Sequence, residues 1–142
     1  MHSIRDILRE KGTTIRSIDP NETVYEAIRQ MAEHGIGALL VVENDQPIGL
    51  LSERDYSRKV ILRGLRSRET TVRTIMSAPL LTISPDASVQ QGLSLMTEKY
   101  IRHLPVVDGS GVVGLVSIGD LVKAVIEDQQ SLIEQLESFI VR

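Results

Sequence analysis

The 142 residues predict an α+β fold assembled from two copies of a single strand-helix-strand-strand-helix unit. The first sign is a repeat. Sliding the chain by 65 positions aligns 18–61 with 83–126 without a gap, and 15 of the 44 pairs are identical. The second sign is that hydrophobic periodicity changes in the same order along both copies, from helical spacing to short β-branched runs and back. The third is composition: 42% hydrophobic and 25% charged residues suit a soluble globular chain rather than a disordered or collagenous one. A unit of roughly 60 residues buries too little surface to be comfortably stable alone, so the two copies are expected to pack face to face and share a core.

Each element has a local reason. Ile4-Arg-Asp-Ile-Leu8 matches Val72-Arg-Thr-Ile-Met76, so a short lead-in precedes each copy. Pro20-Asn-Glu-Thr-Val24 and Pro85-Asp-Ala-Ser-Val89 place proline and acidic or hydroxyl residues where helices begin. Apolar positions then recur at Val24, Ile28 and Met31, and at Val89, Leu93 and Met96, with Gly35 closing the first helix. The runs 38–42 and 104–107, each followed by a polar turn and then 48–51 or 112–116, read as hairpins. A second helix opens at Ser52 or Ser117 and runs through Ile61 or Ile126. The repeats are bounded at 4–62 and 72–127. Between them, 63–71 reads as a solvated linker carrying Arg63, Arg66 and Arg68. In the extension 128–142, Leu132, Ile133, Leu136 and Ile140 fall on one helical side, facing either the protein's own core or a second copy, with the dimer favoured.

Composition excludes several chemistries. With no cysteine there are no disulfides, thiolate ligands or thiol nucleophiles. Three histidines (His2, His34 and His103) are too scattered for a three-His zinc site, and no H-x-x-x-H or EF-hand spacing occurs, so no tightly held metal is expected. A net charge of −3 and four aromatic residues argue against a nucleic-acid partner or an anionic membrane. Without an apolar signal core or a membrane-spanning run, the chain is expected to be cytoplasmic. His34, beside Gly35, suits a helix C-terminus better than catalysis.

Two motifs attract functional readings. Gly109-Ser-Gly111-Val-Val-Gly114 is a literal G-x-G-x-x-G, but a dinucleotide loop must open a helix, and the β-branched residues that follow predict a strand. It reads as a hairpin turn. Gly49-Leu-Leu-Ser52-Glu-Arg-Asp55 and Gly114-Leu-Val-Ser117-Ile-Gly-Asp120 carry S-x-x-D at a helix start. One reading is a capping box. The other is an anion site, with a carboxylate able to accept from ribose hydroxyls. The residues alone leave both open.

The order Pro-x-x-(Thr/Ser)-Val, Met-x-x-x-x-Ile, Leu-(Leu/Pro)-Val-Val, Gly-Leu-x-Ser-x-x-Asp, present twice, closely resembles the CBS domain, and two in tandem resemble a Bateman module. The resemblance covers residues 4 to about 127 and implies a stand-alone CBS-pair protein like those of bacteria and plant organelles. It implies two repeats packed with pseudo-twofold symmetry, and two clefts for ligands such as AMP, ADP, ATP, NAD(H) or S-adenosylmethionine. Carried over by motif, Asp55 and Asp120 would hold ribose, while Ser52 and Ser117 would reach phosphate or ribose. Adenine contacts would fall near Ser17, Ile36, Gly37 and Ala38 in one cleft, and near Thr82, Ile83 and Ile101 in the other.

The clefts are expected to be unequal. Arg54 precedes Asp55 where Gly119 precedes Asp120, and the family pattern brings Arg102 and His103 towards the Asp55 site, whereas their counterparts Gly37 and Ala38 carry no charge. A phosphate-bearing ligand is therefore expected to prefer Asp55. The resulting expectation is a regulatory nucleotide-binding homodimer that signals energy or redox state to an unknown partner protein, and not an enzyme. The alternative is a ligand-independent dimerisation or scaffold protein.

Overall fold

The computed structural model describes residues 1–141. In chain order it contains α1 (Ile4–Lys11), β1 (Ser17–Ile18), α2 (Val24–His34), β2 (Ala38–Glu43), β3 (Gln46–Ser52), α3 (Glu53–Tyr56) continuing as a π-helical turn over Ser57–Ile61, α4 (Val72–Ile75), α5 (Val89–Lys99), β4 (His103–Asp108), β5 (Gly111–Ser117) and α6 (Ile118–Val141). The mixed α+β architecture follows the predicted order. In the second copy, however, the first strand shrinks to one parallel bridge, Ile83 with Val106.

The chain forms two compact units, and they are not the two sequence repeats. One unit holds Ile15–Leu81; the other combines Met1–Thr14 with the chain from Thr82 onward. Each repeat's lead-in packs into the unit built on the other repeat.

In the 15–81 unit, β1 pairs in parallel with β2, and β2 pairs antiparallel with β3. Asn44 and Asp45 both adopt positive φ in the β2–β3 turn, the left-handed geometry that a tight hairpin requires. The Thr23 hydroxyl caps α2, and Gly35 ends it in the left-handed conformation. The apolar sides of these elements meet α4 around Ile18, Val24, Met31, Leu39, Val41, Leu51, Val60, Val72 and Ile75. Leu50 and Ser77 exchange both backbone hydrogen bonds, at 3.0 and 2.8 Å, so the lead-in lies against β3.

The linker is not simply solvated. Thr70 is buried and its carbonyl oxygen accepts from Val24 N, while the Ser67 carbonyl oxygen accepts from Tyr25 N. These bonds satisfy amides at the start of α2, and the Arg68 guanidinium stacks 3.9 Å from the centre of the Tyr25 ring. Arg63 and Arg66 are exposed.

In the other unit, the capping box of Ser3 and Asp6 starts α1. The helix then contributes Ile4, Ile7 and Leu8 to a cluster with Ile83, Val89, Met96, Leu104, Val106, Val116, Leu121 and Ala124. Ile4 N and Arg5 N donate to the carbonyl oxygens of Ala87 and Pro85, fixing α1 beside the start of α5. β4 and β5 form the predicted hairpin, and Asp108 accepts from Ser110 N in its turn, so the G-x-G-x-x-G segment is a turn and a strand.

The repeated Gly49 and Gly114 have one explanation. A Cβ on Gly49 would stand 2.8 Å from the Ser77 carbonyl oxygen, and one on Gly114 would stand 2.6 Å from Cδ2 of Leu8. The missing side chain lets each lead-in lie on the neighbouring strand.

α6 runs 24 residues. From 129 to 141 every residue is exposed, including Leu132, Ile133, Leu136, Phe139 and Ile140. This finding overturns the reading in which the extension covers the protein's own core. Among the described residues, no helix is long and apolar enough to cross a membrane.

Candidate functional site

The two S-x-x-D elements occupy equivalent places in the two units, where the second hairpin strand turns into a helix. At the first, Ser52 N and Ser52 Oγ donate to Asp55 Oδ2 at 3.0 and 3.1 Å, and Asp55 N donates to Ser52 Oγ at 3.1 Å. At the second, Ser117 N donates to Asp120 Oδ2 at 2.8 Å and Asp120 N to Ser117 Oγ at 3.2 Å. Both elements are therefore complete capping boxes.

Each carboxylate also has a cation. The Lys59 ammonium lies 3.1 Å from Asp55 Oδ1, and the Ser77 hydroxyl donates to the same oxygen at 3.0 Å. Lys59 in turn donates to the Ile75 carbonyl oxygen at 3.0 Å. In the other unit the Lys11 ammonium stands 2.6 Å from Asp120 Oδ2 and donates to the Leu115 carbonyl oxygen at 2.8 Å. Burial pushes the Asp120 carboxyl upward, but Lys11 and the Ser117 N–H together outweigh it and hold the group below the ordinary carboxylate range. The Asp55 side chain is 11% exposed and the Asp120 side chain 24%, so the second carboxylate is the more open.

The other candidates sort by unit. Ser17, Ile36, Gly37, Ala38, Ser52, Arg54 and Asp55 belong to the 15–81 unit. There Ala38 is in register with Ser52, the Gly37 carbonyl oxygen accepts from Glu53 N at 3.0 Å, and Ser17 lies one strand away, in register with Leu40. Thr82, Ile83, Ile101, Arg102, His103, Ser117 and Asp120 belong to the other unit. His103 is in register with Ser117, the Arg102 carbonyl oxygen accepts from Ile118 N at 2.8 Å, and Ile83 N donates to Pro105.

Three participants were not singled out from the sequence. Lys59 sits one helical turn after Asp55, at a spacing readable in advance, but its repeat partner is Ala124, so duplication hides it. Lys11 and Ser77 come from the exchanged lead-ins, a connection no local pattern reveals. Lys11 gives the Asp120 site a charge that Gly37 and Ala38 do not supply.

Two α+β units, each with a hairpin, a hydroxyl–carboxylate helix start and a borrowed lead-in, define a tandem-repeat class of α+β fold. The CBS-domain family model matches residues 4–61 and 72–127, and the chain belongs to that family. It is 37% identical over 147 residues to the Arabidopsis thaliana CBS domain-containing protein CBSX3, mitochondrial, covering 97% of this chain and 71% of the relative. It is 36% identical to the CBS domain-containing protein YhcV of Bacillus subtilis, covering 85% and 84%. A solved CBS-domain structure from Burkholderia ambifaria matches with a TM-score of 0.86 and 48% identity, covering 90% of this chain and 96% of that one.

Proposed function

We propose that the protein is a regulatory module that binds an adenosine nucleotide and passes its occupancy to a partner protein. The observation that carries this reading is the duplicated hydroxyl–carboxylate pair with an ammonium beside it: acceptor oxygens for ribose and a cation for phosphate, in both units. Ser17, Ile36, Gly37 and Ala38 would line one adenine position, and Thr82, Ile83 and Ile101 the other. Arg102 and His103 would serve a ligand phosphate. The classes to be tried are AMP, ADP, ATP, NAD(H) and S-adenosylmethionine. Binding alters signalling only if its affinity differs between two states of the protein. The exposed stripe on α6 suits a homodimer, in which a second copy covers Leu132 and Leu136.

A thermal-shift panel over these ligands tests the reading. A ligand at about a hundred times its dissociation constant stabilises by about 2.7 kcal/mol, which is several degrees for a chain of this size. Arg102→Ala should weaken AMP more than adenosine, and equal losses would remove its phosphate role. The scaffold reading draws on the saturation of Asp55, whose two oxygens already accept from Ser52, Ser77 and Lys59. Absence of any shift across the panel would decide in its favour.

A further inference from the structure

Away from both S-x-x-D elements, three side chains converge from separate segments of one unit. His2 precedes α1, Glu10 lies on α1 and Glu127 on α6, and their ligand atoms all lie within 4.8 Å of one another. His2 Nε2 is 3.3 Å from Glu10 Oε1 and 3.6 Å from Glu127 Oε2. The ring is mostly buried, at 18% side-chain exposure, and it is aimed: Asp128 accepts from His2 N at 3.1 Å and holds His2 Nδ1 at 2.7 Å. With Nδ1 held by a carboxylate, Nε2 is the nitrogen presented to the two glutamates. A carboxylate behind a histidine is the arrangement that orients imidazole ligands of metals.

We propose that His2, Glu10 and Glu127 form a site for a divalent transition-metal cation of the Zn²⁺ type, with Asp128 as the orienting group. Tetrahedral bonds of about 2.0–2.2 Å set neighbouring ligand atoms about 3.4 Å apart, close to both observed spacings from Nε2. One imidazole with carboxylates selects Zn²⁺-like ions over Mg²⁺ or Ca²⁺, which prefer all-oxygen shells. Three carboxylates surround this one ring, and the cation competing for Glu127 is Lys123, 4.0 Å away and 75% exposed. An open depression of about 290 Å³, lined by Met1, His2, Asp6, Arg9, Glu10 and Asp128, gives solvent access to the His2 and Glu10 side of the cluster. The bound ion would clamp α1 to α6. Such a site leaves no mark in the sequence, because its ligands are far apart in the chain and follow no ligand-spacing motif.

The test uses the untagged full chain, stripped with chelator and titrated with Zn²⁺ against a chromophoric competitor. One equivalent is expected. Binding should fall at least tenfold in both His2→Ala and Glu127→Gln, and 10- to 100-fold in Asp128→Asn, with His34→Ala unchanged. Glu127→Gln alters a half-exposed helix position and so keeps the test valid if His2→Ala folds poorly. Co²⁺ in place of Zn²⁺ should give visible bands of a nitrogen–oxygen site that disappear in Glu127→Gln. Substoichiometric Zn²⁺ binding, or binding indifferent to Glu127→Gln, would overturn the site.

Discussion

Lys11 sets its ammonium 2.6 Å from Asp120 Oδ2, which ties the last residue of α1 to the first turn of α6. The bond joins the two ends of a discontinuous unit, since α1 comes from one repeat and α6 from the other. It also places a cation on the carboxylate proposed to hold ribose, so the contact that secures the lead-in must be accommodated when a ligand arrives.

Lys11→Met should therefore raise the Asp120 titration midpoint, followed by NMR of its carboxyl carbon. The folded value lies below the unfolded one, so this carboxylate's contribution to stability is complete above the ordinary carboxylate range. It is lost as pH falls through the folded value. In Lys11→Met that acid-side slope should flatten, and the urea midpoint near neutral pH should correspond to a loss of about 0.5–1 kcal/mol, the scale of a partly exposed pair. An unmoved Asp120 midpoint would show that Lys11 does not hold the carboxylate in solution.

The two carboxylates should differ in structural weight. Asp55 accepts from Ser52 N, Ser52 Oγ, Ser77 Oγ and Lys59 while nearly buried. Asp55→Ala removes a cap and leaves the Ser77 and Lys59 groups without their partner, and is expected to cost about 3 kcal/mol. Asp120→Ala, at the more open site, should cost about 1 kcal/mol. Urea unfolding measures both, and similar losses would contradict the asymmetry. For ligand studies, Asp55→Asn is the milder variant because its one carbonyl oxygen can still accept from Ser52 N and Ser52 Oγ, although its amide nitrogen then faces Lys59.

The two repeated glycines give a sharper contrast. Gly49→Ala meets a backbone oxygen that is fixed by the paired bonds of Leu50 and Ser77, so strand and lead-in must separate. A loss of about 2–3 kcal/mol is expected. Gly114→Ala meets Cδ1, Cδ2 and Cγ of the buried Leu8, a side chain that shifts more readily than a backbone carbonyl, and should cost about 1 kcal/mol. Thermal unfolding of both variants checks the order; equal shifts would mean that the lead-in over Gly49 moves as freely as Leu8.

These glycines show where sequence reading stops. The hairpins, α2, α5 and both helix starts were legible, because each rests on local spacing and capping chemistry repeated in two copies. Which lead-in lies on which strand was not, since Ile4–Leu8 and Val72–Met76 resemble one another and either could serve either sheet. The site inherits the same limit. Ser52, Asp55, Ser117 and Asp120 announce themselves at fixed spacing, whereas Lys11 and Ser77 reach them through tertiary exchange. The 63–71 segment looked merely polar because its structural role rests on the backbone carbonyls of Ser67 and Thr70, which no residue type advertises.

The α6 extension allows a separation of folding from assembly. Leu132 and Leu136 are 56% and 55% exposed and lie one turn apart, with Phe139 and Ile140 beyond them. None of these side chains is buried in the chain's own core, so Leu132→Glu combined with Leu136→Glu should leave the unfolding of the monomer nearly unchanged. If a second copy covers the stripe, the full chain sediments as a dimer, its unfolding midpoint rises with protein concentration, and the double variant sediments as a monomer with a concentration-independent midpoint. A chain ending at Gln130 should behave like the double variant while keeping Glu127 and Asp128. A double variant that remains dimeric would place the interface elsewhere, and a full chain that sediments as a monomer would leave the stripe without a second copy to cover it.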